Sequence, residues 1–421
     1  RRHSTGRSVL QIDHPNSSSP SIRAKPAGLL FTATMRSVRV LFTAFLALPW
    51  IFLLAGGGSL PPCNFPAHYN FGDSNSDTGG ISAAFEPIKA PYGENFKKLG
   101  GRDSDGRLIV DFIAERLKLP YLNAYLNSIG TNYRHGANFA TGGSTIAKPI
   151  ETIYQYGISP FYLGMQITQF DQFKSRTASL LELVKNTPDG QKLPRSEDYS
   201  KALYTFDIGQ NDLSVAFRNM TVEQIRASIP ALVDQLLTAI QHIYKAGGRS
   251  FWIHNTGPLG CLPVNLFYLP NPLPAGYLDE LGCVADKNRM AMEFNAKLKD
   301  ALVRLRQQLP QAAITYVDVY AAKYEIIKNA AKEGFVDPLK PCCGYHVNYS
   351  HVWCGSKMSI NGVERYGEVC KRPSAAVSWD GVHYSEAASR WVAEHTQNGA
   401  GTEPPTPIIH ACHRFSNSLR L

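Results

Sequence analysis

The run Phe65-Pro-Ala-His-Tyr-Asn-Phe71 stops at Gly72-Asp-Ser74 and enters the turn Asn75-Ser-Asp-Thr-Gly-Gly80. A short apolar run read as a buried strand, closed by a glycine-rich turn, puts one hydroxyl at the carboxyl end of a sheet. Open α/β sheets bind their ligands there. Ser74 is therefore a candidate nucleophile, and a serine hydroxyl needs a base to take its proton. The remainder of the chain repeats the pattern of strand followed by helix. Lys201–Gly209, Ser250–His254 and Ala312–Val317 read as further buried strands. Between them, apolar residues recur at helical spacing over 107–117, 168–184, 278–309, 319–332 and 385–394. Thr221 with Gln224 forms a capping box ahead of Ile229, Leu232, Val233, Leu236, Ile240 and Ile243, and Gly247-Gly248 closes that helix. Alternating strands and long helices predict an α/β fold, a parallel sheet covered on both faces, in one domain over about 63–412.

The net charge of +9 suggests nucleic acid or an anionic surface until it is located. Residues 1–58 hold seven Lys/Arg and one Asp, which leaves 36 basic and 33 acidic residues beyond them, with no basic stripe. Nucleic acid is set aside on that ground. Met35, Arg36 and Arg39 precede the nearly unbroken apolar run Val40–Leu54 and then Ala55-Gly-Gly-Gly-Ser59. This is the pattern of an export signal over 35–58. A membrane span needs about 20 apolar residues, so no stable membrane insertion is expected after the signal is removed. Residues 1–34, polar and rich in Ser and Arg, are expected to be an upstream extension outside the mature protein. The eight cysteines all follow the signal, and an even number in an exported chain favours disulfides. Cys261 with Cys283 makes a plausible local loop, and the pairing of the rest is left open by the sequence. Zinc spacing is lacking among Cys342, Cys343, Cys354 and Cys370, so no metal is expected. Asn219-Met-Thr and Asn348-Tyr-Ser are N-glycosylation acceptors in a secretory setting.

Among twelve histidines, His383 has a carboxylate, Asp380, three residues ahead and a helix just behind, in Ser378-Trp-Asp-Gly-Val-His-Tyr-Ser385. On a turn, that spacing lets Asp380 orient the imidazole, although Asp380 as a cap of the coming helix explains it equally well. Oxyanion donors are available from the backbone of Gly143 in a second glycine turn and the amide of Asn211 at the end of the second strand. The Ser74 N–H is a third.

Taken together, Gly72-Asp-Ser74, Asn138-Phe-Ala-Thr-Gly-Gly143, Gly209-Gln-Asn-Asp212 and Asp380-Gly-Val-His383 resemble, in order and spacing, the four blocks of the GDSL lipase/esterase family of SGNH hydrolases. The likeness spans nearly the whole chain after the signal. It is closest to secreted plant members of the early nodulin and acetylesterase-like branch, which it resembles also at Ser250–Pro258, Cys342-Cys-Gly344 and Ala411-Cys-His413. The resemblance implies a flavodoxin-like three-layer α/β/α sandwich. It implies Ser74 as nucleophile, His383 as base, Asp380 as its partner, and Ser74, Gly143 and Asn211 as oxyanion donors. It further implies a secreted esterase without cofactor, acting on short-acyl esters of glycans or secondary metabolites. Long-chain esters, acyl transfer to an alcohol, and a silent glycan-binding protein are the alternatives.

Overall fold

The computed structural model describes residues 60–414 apart from 97–100, 128, 151–152, 155–156 and 348. The extension, the export signal and Asn348 lie outside the described residues. Five parallel strands form the centre: β1 (His68–Gly72), β2 (Gly136–Asn138), β3 (Leu203–Asp207), β4 (Ser250–His254) and β5 (Ala313–Val317). Their order is 2-1-3-4-5, and the antiparallel edge strand Thr402–Glu403 is added to β5. The edge strand makes the sheet mostly rather than wholly parallel. Strand order reverses between β1 and β3, where a doubly wound sheet opens a crevice at its carboxyl edge.

Among the described residues, eight α-helices pack around the sheet: α1 (Gly80–Ala84), α2 (Ile109–Arg116), α3 (Leu163–Val184), α4 (Gln210–Asn219), α5 (Val222–Lys245), α6 (Ala285–Gln308), α7 (Val319–Lys328) and α8 (Glu386–Gln397). Period-two alternation along the strands divides the core. Tyr204, Phe206, Phe251, Ile253 and Ile314 pack in the cluster supplied by α3, α5 and α6. Leu203, Trp252 and Val317 face the cluster supplied by α2 and α8. These are the two covered faces of a three-layer α/β/α sandwich. In β1, Tyr69 and Phe71 join the first cluster, while the opposite face is polar and hydrogen-bonded across the strands. There His68 meets Thr205 at 2.7 Å, Thr205 donates to Asn70 at 2.6 Å, and Asn70 donates to Asn138 at 2.8 Å.

The expected helix over 278–309 begins later, at Ala285, because the Cys261–Cys283 disulfide closes a loop ahead of it. The stretch 81–100, read as loop, contains the short α1 and a 3₁₀ turn over Glu94–Phe96. The cysteine-rich stretch folds as two small antiparallel hairpins, Tyr345–Val347 with Ser350–Val352 and Lys357–Ile360 with Val363–Tyr366. Cys342–Cys370 and Cys343–Cys354 staple it, and Cys63–Cys412 joins the two ends of the folded region. Among the described residues no helix is long and apolar enough to cross a membrane.

Candidate active site

Gly72 ends β1 where two chains nearly touch. A Cβ there would lie 2.5 Å from both the Asp207 carbonyl oxygen and Ser76 Oγ, so only glycine fits. The turn that follows delivers Ser74, buried at 6% exposure, to the crevice. From the far end of the chain, the strand Ala376–Ser378 leads into a tight loop before α8. Gly381 N–H donates to Ser378 Oγ at 3.0 Å and Trp379 N–H to the His383 carbonyl at 2.8 Å. This folds Asp380 and His383 together. His383 Nδ1 lies 2.7 Å from Asp380 Oδ2, and His383 Nε2 lies 2.8 Å from Ser74 Oγ. With Nδ1–H donating to the carboxylate, Nε2 is left to accept from the serine hydroxyl. The N-cap of α8 is Ser385, whose hydroxyl accepts from Ala388 N–H. Asp380 is thus not the helix cap.

Asp380 Oδ1 accepts from the backbone N–H groups of Val382 and His383 at 2.9 and 2.8 Å, and Oδ2 also accepts from Tyr92 Oη at 3.0 Å. Burial would raise its pKa, but the His383 charge and these hydrogen bonds hold it below the usual carboxylate range. Burial likewise would lower the His383 pKa. The charges of Asp380 and Asp103, the Asp380 hydrogen bond and Asp73 outweigh it and carry the imidazole up to about 9. Asp103 is half-buried, and burial pushes its carboxyl up to about 7.

Gly143 occupies φ +74°, and a Cβ would sit 2.6 Å from the Gly157 carbonyl oxygen and 2.9 Å from Ser159 N. The adjacent Gly142 N–H is committed to Asp77 Oδ2 at 2.8 Å. Among the described residues, the N–H groups of Ser74 and Gly143 carry no hydrogen bond. Asn211 is not at the end of the second strand as read from the sequence. It lies in the first turn of α4, and its Nδ2 donates to the Ser144 carbonyl at 2.9 Å. Two carboxylates bind these turns together. Asp77 accepts from Gly79, Ile81 and Gly142 N–H, linking the Ser74 turn to the Gly143 turn. Asp212 accepts from Ile146 and Ala147 N–H at 2.8 and 3.0 Å, linking α4 to the same turn.

Tyr92, Asp77, Asp103 and Asp212 were not singled out from the sequence. Asp77 and Asp212 each neighbour a candidate residue in a glycine-rich turn, a signal that favours a carboxylate accepting backbone N–H groups. Tyr92 and Asp103 are far from Asp380 and His383 in sequence and carry no such signal. Asn219 is exposed at the end of α4, as a glycan acceptor requires. The His, Cys and Asp groups close enough to share a cation, among the described residues, are Cys63, Cys412 and His413, and Cys261, Asp279 and Cys283. Their sulfurs are bonded to each other.

The family model for GDSL-like lipase/acylhydrolase matches residues 69–396. A GDSL esterase/lipase of Arabidopsis thaliana is 64% identical over 84% of this chain and 91% of its own length. The GDSL esterase/lipase ACHE of Zea mays is 48% identical over 85% and 91%. A protein named alpha-L-fucosidase 3 of Arabidopsis thaliana is 46% identical over 85% and 97%. The chain belongs to the GDSL-like lipase/acylhydrolase family, has the SGNH hydrolase fold, and is a carboxylic ester hydrolase.

Proposed function

We propose that this protein is a secreted serine esterase in which Ser74, His383 and Asp380 form the catalytic triad of a domain spanning 63–412. The observation that carries the reading is the continuous relay from Ser74 Oγ to His383 Nε2 at 2.8 Å and from His383 Nδ1 to Asp380 at 2.7 Å. His383 takes the hydroxyl proton as Ser74 Oγ attacks the ester carbonyl carbon. Asp380 stabilises the imidazolium. The negative charge that develops on the carbonyl oxygen is held by the N–H groups of Ser74 and Gly143 and the Asn211 amide. As the tetrahedral intermediate collapses, His383 returns the proton to the departing alkoxide and the acyl-enzyme remains. His383 then deprotonates water, which attacks the acyl carbon and releases the acid and Ser74.

Short-acyl esters, acetyl groups on glycans or secondary metabolites, are the proposed substrates, with an extracellular or cell-wall location. The export signal pattern and four disulfides support the location. The relative named as a fucosidase favours a sugar-bearing alcohol over a simple one. It also raises glycoside hydrolysis as a second reading, but that chemistry generally uses two carboxyl groups across the scissile bond. Here Asp380 is already engaged by the imidazole of His383.

The test is labelling of the purified protein with a serine-directed phosphonate, with Ser74→Ala alongside. Wild type is expected to be labelled at Ser74 and the variant to lose both label and ester hydrolysis. Turnover by Ser74→Ala would overturn the mechanism. A series of esters of increasing acyl length is expected to favour the short members, and a preference for long chains would overturn that choice alone.

A further inference from the structure

Behind the triad lies a set of buried charges that the reaction above leaves unused. Lys323, on α7, is 4% exposed, and among the described residues it makes no ion pair. Its Nζ stands 4.8 Å from the centre of the Tyr384 ring. Asp73, 1% exposed, accepts at Oδ1 from the Asn75 N–H and side-chain amide, both at 2.9 Å. Its Oδ2 is buried with no partner among the described residues. Asp207, next to it, pairs with His254 at 3.2 Å. A small cavity of about 10 Å³ lies between Lys323 and His383, lined also by Asn75, Tyr384 and Ser389. That is the smallest space that accommodates one water.

A buried lone ammonium is costly unless a carboxylate offsets it, and the carboxylates on offer are Asp73 and Asp207. Both act on Lys323: burial lowers its pKa, and those two charges oppose the fall. Between the two acids, Asp207 retains its charge through His254, while burial and the Asp207 charge push Asp73 up to about 7. His383 is thus faced by Asp380 on its own loop, by Asp103 from the segment before α2, by Asp73 from the nucleophile turn, and by Lys323 across the cavity. Tyr384 adjoins it in sequence, His346 acts on Asp380 from the first hairpin, and Tyr92 donates to Asp380.

We propose that Asp73 and Lys323 are opposed positioning residues for His383: Asp73 supports the imidazolium formed when Ser74 gives up its proton, and Lys323 limits that support so that the neutral base is restored. The inference rests on His383 being the general base. It gives the residue before the nucleophile a task of its own and accounts for a buried lysine that, among the described residues, makes no ion pair.

Asp73→Asn and Lys323→Met keep side-chain volume and remove one charge each. The measurement is kcat/KM for phenyl acetate, followed by pH-stat from about pH 5 to about pH 10, for wild type and both variants. Wild-type activity is expected to rise with pH as His383 loses its proton. Asp73→Asn is expected to move the midpoint to lower pH and Lys323→Met to higher pH, each by about one unit. Lost packing alone lowers the rate without moving the midpoints in opposite directions. If both variants keep the wild-type midpoint, or shift the same way, the inference is overturned. Should Asp73→Asn lack a cooperative melt, Lys323→Met decides, and an unmoved midpoint overturns the proposal. A wild-type profile with no ionisation limb instead overturns the base role of His383, and this inference with it.

Discussion

Asn211 carries two amide hydrogens, and one is spent on the Ser144 carbonyl at 2.9 Å. The bond fixes the rotamer, so the second hydrogen keeps its direction without further ordering when charge develops nearby. Asn211→Ala is expected to lower kcat by about 10²–10³ with little change in KM, measured by steady-state kinetics on a short-acyl ester. Aspartate at this position keeps the size and loses the donor, and it is expected to be at least as damaging. The proposed residues Ser74, Gly143, Asn211, Asp380 and His383 are legible by residue type and spacing because each lies in or beside a glycine turn. The sequence does not distinguish Gly142 from Gly143 by itself. The difference is physical: Gly142 N–H is bound to Asp77, and Gly143 alone has the left-handed φ. Tyr92 escapes sequence reading because its partner is nearly three hundred residues away.

At the scale of elements, the loop before α2 is held by Arg102 and Asp111. Arg102 Nε and a terminal nitrogen reach the two Asp111 oxygens at 2.8 and 2.6 Å, and both side chains are almost fully buried. Asp111 also accepts from Leu108 N–H, so the pair closes the first turn of α2. Breaking a buried bidentate pair from one side leaves an uncompensated charge. Arg102→Ala is expected to cost about 3–5 kcal/mol in chemical denaturation. The same substitution loosens the segment carrying Asp103. The helix starts were legible where a cap was present: Gln224 N–H donates to Thr221 Oγ1, and Thr221 N–H donates to Gln224 Oε1. They were misread where something outside the helix sets the boundary. The Cys261–Cys283 bond delays α6, and α4 begins directly at Gln210 behind a glycine, with only the short stripe Leu213, Ala216 and Phe217 to announce it.

Across the whole molecule, the strand order 2-1-3-4-5 brings residues 74, 143 and 211 to one edge of the sheet, since β1, β2 and β3 end there, and His383 reaches them from the loop after Ala376–Ser378, outside the central sheet. Alternation of strands and helices predicted the layers, but not the order of strands, which depends on crossovers that leave no local mark in the chain. Nor could periodicity reveal the cystine-stapled hairpins, whose strands are three or four residues long. That module rests directly on the loop that carries Asp380 and His383. Cys342 N–H donates to the Ser378 carbonyl at 3.0 Å and Cys343 N–H to the Trp379 carbonyl at 2.7 Å. Trp379 is packed among Cys342, Cys343 and Cys354, with Tyr92 against the same cluster and edge-on to its ring at 6.0 Å. Trp379, next to Asp380 in the chain, and Tyr92, which donates to its carboxylate, therefore both pack in the cystine cluster. Treatment of the folded protein with a thiol reductant is expected to abolish ester hydrolysis before the global fold is lost, as followed by activity and far-ultraviolet circular dichroism on one sample. Retained activity in a sample whose Cys342–Cys370 and Cys343–Cys354 bonds are shown to be open would refute it. On the proposed mechanism, a chain with these two bonds still open holds Ser74 with no aligned imidazole beside it, and closing them is the step that arms the site.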